Sequence, residues 1–131
     1  MNRTTTPTVP QVFRGDPGNW PHQFFARAGE LWQADFSVAA ACLARASLER
    51  HLLVLCARTP GVRQLSGRRG AVEYVDALFT RRVIDHPGRA YLSNLFTIGN
   101  RAAHGQLVTV ESIGHLLAQV EQILDGRAVH L

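Results

Sequence analysis

The chain contains no lysine, so all 14 of its basic residues are arginine. A genome rich in arginine codons accounts for that bias without any function, but the absence still excludes one. "GVRQLSGRRG", residues 61–70, has a glycine spacing loosely like that of a phosphate loop. Without the lysine that reaches the terminal phosphates it is not the P-loop of an NTPase. Cysteine is scarce too. Cys42 and Cys56 fall in one helical pattern, about 21 Å apart at about 1.5 Å of rise per residue, beyond the reach of a disulfide within that helix. They read as reduced core residues. The 6 histidines and 2 cysteines show no paired ligand spacing, and Cys56 has no legible base nearby. Metal hydrolysis and thiol catalysis are therefore poorly supported, and no cofactor is expected. No apolar run has the length of a membrane span, and "MNRTTTPTVP" has Thr and Pro where a signal peptide needs an apolar segment. The expectation is a cytoplasmic protein with no membrane contact.

What is present is enough for one domain: 131 residues, 46% of them apolar, can bury a core. Residues 1–18, rich in Thr, Pro and Gly, read as a flexible N-terminal arm, and 19–131 as a single helical domain. "NWPHQFFARAGELWQAD" places Phe24, Phe25, Ala28, Leu31 and Trp32 at helical spacing, with Asn19 as the expected cap and Pro21 tolerable in the first turn. "SVAAACLARASLERHLLVLCAR" is apolar around most of its circumference, as a central helix is, and Ser37 or Asp35 is the expected cap. In it, Arg45 and Glu49 are spaced to pair along one face.

A third helix is predicted over "AVEYVDALFTRRVI", with Val72, Val75, Leu78, Phe79 and Ile84 inward. "DHPG" reads as a break. A fourth is predicted over "RAYLSNLFTIGNRAAH", with Tyr91, Leu92, Leu95, Ile98 and Ala102 as its core stripe and Gly105 as its stop. The last, "TVESIGHLLAQVEQIL", puts Val110, Ile113, Leu117, Val120 and Leu124 on one face, with Thr109 as cap. No strand alternation and no internal repeat is evident. The predicted fold is all-α, an antiparallel bundle of four to five helices joined by short connections.

Charge is uneven along the chain. Residues 58–89 hold seven arginines against Glu73, Asp76 and Asp85, a surplus equal to the net +4 of the whole sequence. Such a region attracts phosphates, because the guanidinium fork pairs with them at two points. Ordinary solvated helix-surface arginines give the same pattern.

The chemistry-bearing stretch is "IGNRAAHG", residues 98–105. On a helix Asn100, Arg101 and His104 project to neighbouring parts of one face. His104 falls in the last turn, where the negative end of the helix favours a positive group, and a histidine there can give or take a proton. An amide and an arginine beside it can hold a phosphodiester. The same spacing also describes a plain helix end, in which Asn100 bonds locally, Arg101 is solvated and His104 covers the terminus.

"GNRAAHG", together with "RASLE" upstream and an amphipathic helix directly after, resembles the HEPN superfamily, within it the DUF4145-type domains. The likeness runs from about Trp20 to Leu124. It implies a helical bundle that pairs into a homodimer, with two copies of the His-bearing segment at a shared cleft. Many members are metal-independent ribonucleases of toxin–antitoxin, abortive-infection or other phage-defence systems. Others are non-catalytic RNA-binding or interaction modules. In the nuclease members an arginine precedes the polar residue, and a histidine follows. Here Asn100 and His104 match, whereas Gly99 stands at the arginine position and Arg101 is out of register.

Two readings follow. In one, an RNA-facing HEPN-like dimer uses His104 and Asn100 as its catalytic pair and Arg101, Arg81 and Arg82 as RNA contacts. In the other, the domain is a non-catalytic module that dimerises or docks onto a protein partner.

Overall fold

The structure, a computed structural model, describes residues 19–62 and 70–127. The N-terminal arm, most of the glycine-bearing loop and His130 lie outside them. Within them are five helices and no strand: α1 (Trp20–Gln33), α2 (Ser37–Arg58), α3 (Ala71–Thr80), α4 (His86–Ala103) and α5 (Val110–Leu124). The all-α bundle expected from periodicity is therefore present.

α2 is the axis of the molecule, packing against each of the other four helices. Its small residues explain how: Ala40, Ala41 and Ala44 are fully buried, letting neighbours approach closely, while Leu48, Leu52 and Cys56 fill the space below them. Three residues of "RASLE" turn to different neighbours. Ser47 is buried and its hydroxyl donates to the carbonyl of Pro21 on α1. Leu48 enters the core, and Arg45 reaches α4. Buried Leu92 and Leu95 from α4, Tyr74 and Leu78 from α3, and Ile113, Leu116 and Val120 from α5 complete the core. Cys56 is buried and Cys42 half-buried, and both are free thiols.

Several sequence expectations are corrected. α4 begins at His86, three residues before the expected Arg89, because "DHPG" starts the helix rather than breaking it. The Asp85 carboxylate accepts from the Gly88 N–H at 2.8 Å, and Pro87 occupies a first-turn position whose N–H has no helical partner. α3 stops at Thr80 because Arg82 adopts φ +61° and turns the chain, although Ile84 beyond it is still buried. Val72 and Val110, expected inside, are 68% and 57% exposed. The inward face of α3 is instead Ala71, Tyr74, Val75 and Leu78. Asn19, Asp35 and Ser37 make no side-chain cap; Asp35 lies at φ +67° in the turn that ends α1. Thr109 does cap α5, accepting from the Ser112 N–H at 3.0 Å.

Candidate functional site

A groove of about 410 Å³ runs between α3 and α4, with α2 at one end. One helical face of α4 forms its wall: Arg89, Ser93, Phe96, Thr97 and Asn100 are spaced by three or four residues, so they stack in a stripe. The first turns of α3 supply Glu73 and Asp76 opposite, and α2 contributes Arg45.

The Arg45 side chain lies flat across Gly99. A β-carbon built at Gly99 would sit 2.7 Å from Arg45 Cβ, closer than real β-carbons approach, and a tight 3.0 Å from its Cγ, so glycine leaves the room that Arg45 occupies. From that notch Arg45 Nε donates a short hydrogen bond, 2.5 Å, to Asn100 Oδ1. Its Nη1 lies 3.8 Å from Glu49 Oε1, a loose ion pair, and the side chain is 28% exposed. Phe96 lies beneath the guanidinium, 6.0 Å from ring centre to Cζ, near the outer limit of a cation–π contact.

The carboxylates facing Arg45 across the groove have partners of their own. Asp76 accepts from Arg89 Nη2 at 2.7 Å, and Arg89 in turn stacks 4.7 Å over Phe79. Glu73 accepts from the backbone N–H of Gly70 at 2.7 Å, closing the first turn of α3. Thr97 donates to the carbonyl of Ser93 one turn earlier, at 2.9 Å.

Of the residues singled out in the sequence, Asn100 lines the groove, and it bonds across to another helix rather than locally. His104 is the residue that closes α4. It is exposed, its N–H bonds the Asn100 carbonyl at 3.0 Å, and it stands one turn past the end of the groove. Gly105 follows at φ +70°, with the Gln106 N–H returning to the Arg101 carbonyl at 2.9 Å. This is the glycine stop read from the sequence. Arg101 is exposed beside Asn100 but does not line the groove.

Arg81 and Arg82 are not brought to this place. They lie in the turn before α4, and its length separates them from Asn100 by about 20 Å at about 1.5 Å per residue. Arg81 reaches back over Gly61, whose carbonyl is 3.5 Å from its Nη2.

Arg45 is the functional candidate that the motif alone missed. Two signals for it stand in the sequence: an arginine on a helix that is otherwise largely apolar, and Gly99 inside a helix. A helix-interior glycine costs about 1 kcal/mol relative to alanine, so it commonly marks a close approach. Comparison with protein-family models, with curated proteins and with solved structures returns no match, so the likeness to HEPN domains rests on the residues named above.

Proposed function

We propose that the chain is an RNA-facing helical domain of the HEPN kind, acting as a homodimer, with its working surface on the polar stripe of α4. The carrying observation is the Arg45–Asn100 pair at the end of the groove that leads to His104. Cleavage of RNA without a metal needs a group that moves protons and a positive group that meets the charge building on phosphorus. His104, exposed one turn beyond Asn100, supplies the first. A guanidinium already oriented beside Asn100 supplies the second. This supports the reading although Gly99 stands at the motif's arginine position, since a positive group lies beside Asn100 from another helix.

The test is incubation of the purified full chain with single-stranded RNA, alongside His104→Ala, with binding followed as salt is raised. Binding weakens steeply with salt, and cleavage is lost in His104→Ala while binding persists. Wild-type protein that neither binds nor cuts RNA would refute the reading.

The second reading, a non-catalytic self-association or protein-interaction module, is favoured by a different observation. Leu107 is 99% exposed in the α4–α5 connection, Val110 57% and Phe36 60%, where the α1–α2 turn lies against the start of α5. Exposed apolar groups gathered at one end of a small bundle mark a contact surface. The two readings are compatible in one dimer, and loss of RNA binding with dimerisation retained would leave only the second.

A further inference from the structure

We infer that Arg45 and Asn100 form one composite anion site, built from two helices, that grips the two non-bridging oxygens of a phosphodiester, and that residue 99 is glycine because the site requires it. The ligand named here rests on the RNA-facing reading; the site itself rests on geometry.

A guanidinium carries five N–H donors in one plane, and Arg45 uses its Nε–H on Asn100. The carboxylate paired with its terminal nitrogens, that of Glu49, stands at 3.8 Å, beyond a good hydrogen bond, so these donors keep capacity for an incoming oxygen. The bond also fixes Asn100. With Oδ1 accepting from Arg45, the carboxamide presents Nδ2, which only donates. A charged donor and a neutral one thus stand side by side on the rim of one groove. That pairing suits an anion with two oxygens on one atom. Across the groove Glu73 accepts from the Gly70 N–H, and the charge of Asp76 is met by the Arg89 guanidinium. At 28% exposure the arginine is reachable but partly shielded from water, which strengthens its attraction for an anion.

Gly99 decides the architecture. Its would-be β-carbon meets Arg45 at Cβ and Cγ, the part of the side chain nearest the α2 backbone, which cannot swing aside. Side chains at 99 and 45 are therefore mutually exclusive. A guanidinium reaches Asn100 either from α4 or from α2, and this chain uses α2.

The experiment measures binding of a fluorescent single-stranded oligouridylate across a salt series for the full chain and for Arg45→Gln, Arg45→Lys, Gly99→Ala and the exchange Arg45→Gly with Gly99→Arg. Helicity and melting temperature are recorded for each. Arg45→Gln is expected to weaken binding at least about tenfold at low salt and to flatten the plot of log affinity against log salt by about one phosphate contact. A merely structural role for Arg45 would lower melting without moving that slope. Arg45→Lys restores the slope but not the affinity, because an ammonium lacks the fork. Gly99→Ala weakens binding by displacing Arg45, and the exchange variant binds more tightly than Arg45→Gln.

Unchanged affinity and slope in a folded Arg45→Gln protein, with wild type binding RNA, would overturn the site and leave the RNA-facing reading standing. Where wild type binds no RNA, titration with inorganic pyrophosphate separates the two ideas. Pyrophosphate bound by wild type and not by Arg45→Gln upholds the site and removes the RNA reading; no binding to either removes both. If the exchange variant fails to fold, the Gln, Lys and Ala variants decide the matter.

Discussion

At the scale of single residues, Gly99 sets two effects against each other. In a helix interior alanine is favoured over glycine by about 1 kcal/mol, so propensity alone makes Gly99→Ala stabilising. Overpacking a close contact costs about 1–3 kcal/mol, and here the new methyl meets Arg45 at its stem. Packing wins, and Gly99→Ala is expected to lower stability by about 1 kcal/mol in urea unfolding; a gain would mean that Arg45 does not occupy the notch. His51 behaves differently. It is half-buried on α2, and burial first, then the charges of His22 and Arg58, hold its imidazole below the ordinary value of 6.5. The unfolded chain then binds the proton more readily than the folded one. Stability is complete above pH 6.5 and declines as pH falls below it. Melting temperatures measured downward from neutral pH should show that decline, and His51→Gln should reduce it.

At the scale of elements, the helix ends show what the sequence made legible and what it did not. Gly105 and Gly126 stop α4 and α5 at positive φ, and Gly105 was readable because glycine is the common residue there. Asp35 and Arg82 make the same left-handed turn at φ +67° and +61°, with the Phe36 N–H returning to the Leu31 carbonyl and the Val83 N–H to the Leu78 carbonyl. Neither residue advertises that conformation, so the sequence alone makes Asp35 a candidate cap and carries α3 on to Ile84. The strain is a measurable cost. Arg82→Gly, whose backbone adopts φ +61° without a β-carbon, should raise stability by up to about 1 kcal/mol, and Asp35→Gly by less, since aspartate tolerates this region better. Asp85→Ala should do the reverse, costing about 1 kcal/mol by leaving the Gly88 N–H without its carboxylate. Thermal unfolding of the three variants checks all of it. A gain from Asp85→Ala would mean that the turn, not the cap, starts α4.

At the scale of the whole molecule, hydrophobic periodicity was sufficient for the all-helical class, the centrality of α2 and part of the inward faces, Leu92, Leu95 and Ala102 on α4 and Ile113, Leu117 and Val120 on α5, while buried Phe96, Leu116 and Ile123 fell outside the stripes. It was blind to contacts between helices. Arg45 meets Asn100 across 55 positions of chain, and no local pattern records that they touch. It was equally blind to what the apolar residues outside the core face. Leu107 is the clearest case: it follows His104 by three residues and is almost wholly exposed. An isolated exposed leucine is ordinary, but Phe36 and Val110 also stand out from the core around the joined ends of α1–α2 and α5. If a second copy covers this end, each His104, three residues before Leu107, stands near the contact, and the dimer carries two Arg45–Asn100 pairs. Leu107→Asp separates this arrangement from its alternatives, because a fully exposed residue contributes little to the fold of one subunit, typically within about 0.5 kcal/mol. Sedimentation should show wild type as a dimer and Leu107→Asp as a monomer of unchanged helicity, with RNA affinity reduced because two linked sites grip more strongly than one. A wild type that stays monomeric up to high concentration, yet binds RNA in an Arg45-dependent manner, would place the whole working surface within a single bundle.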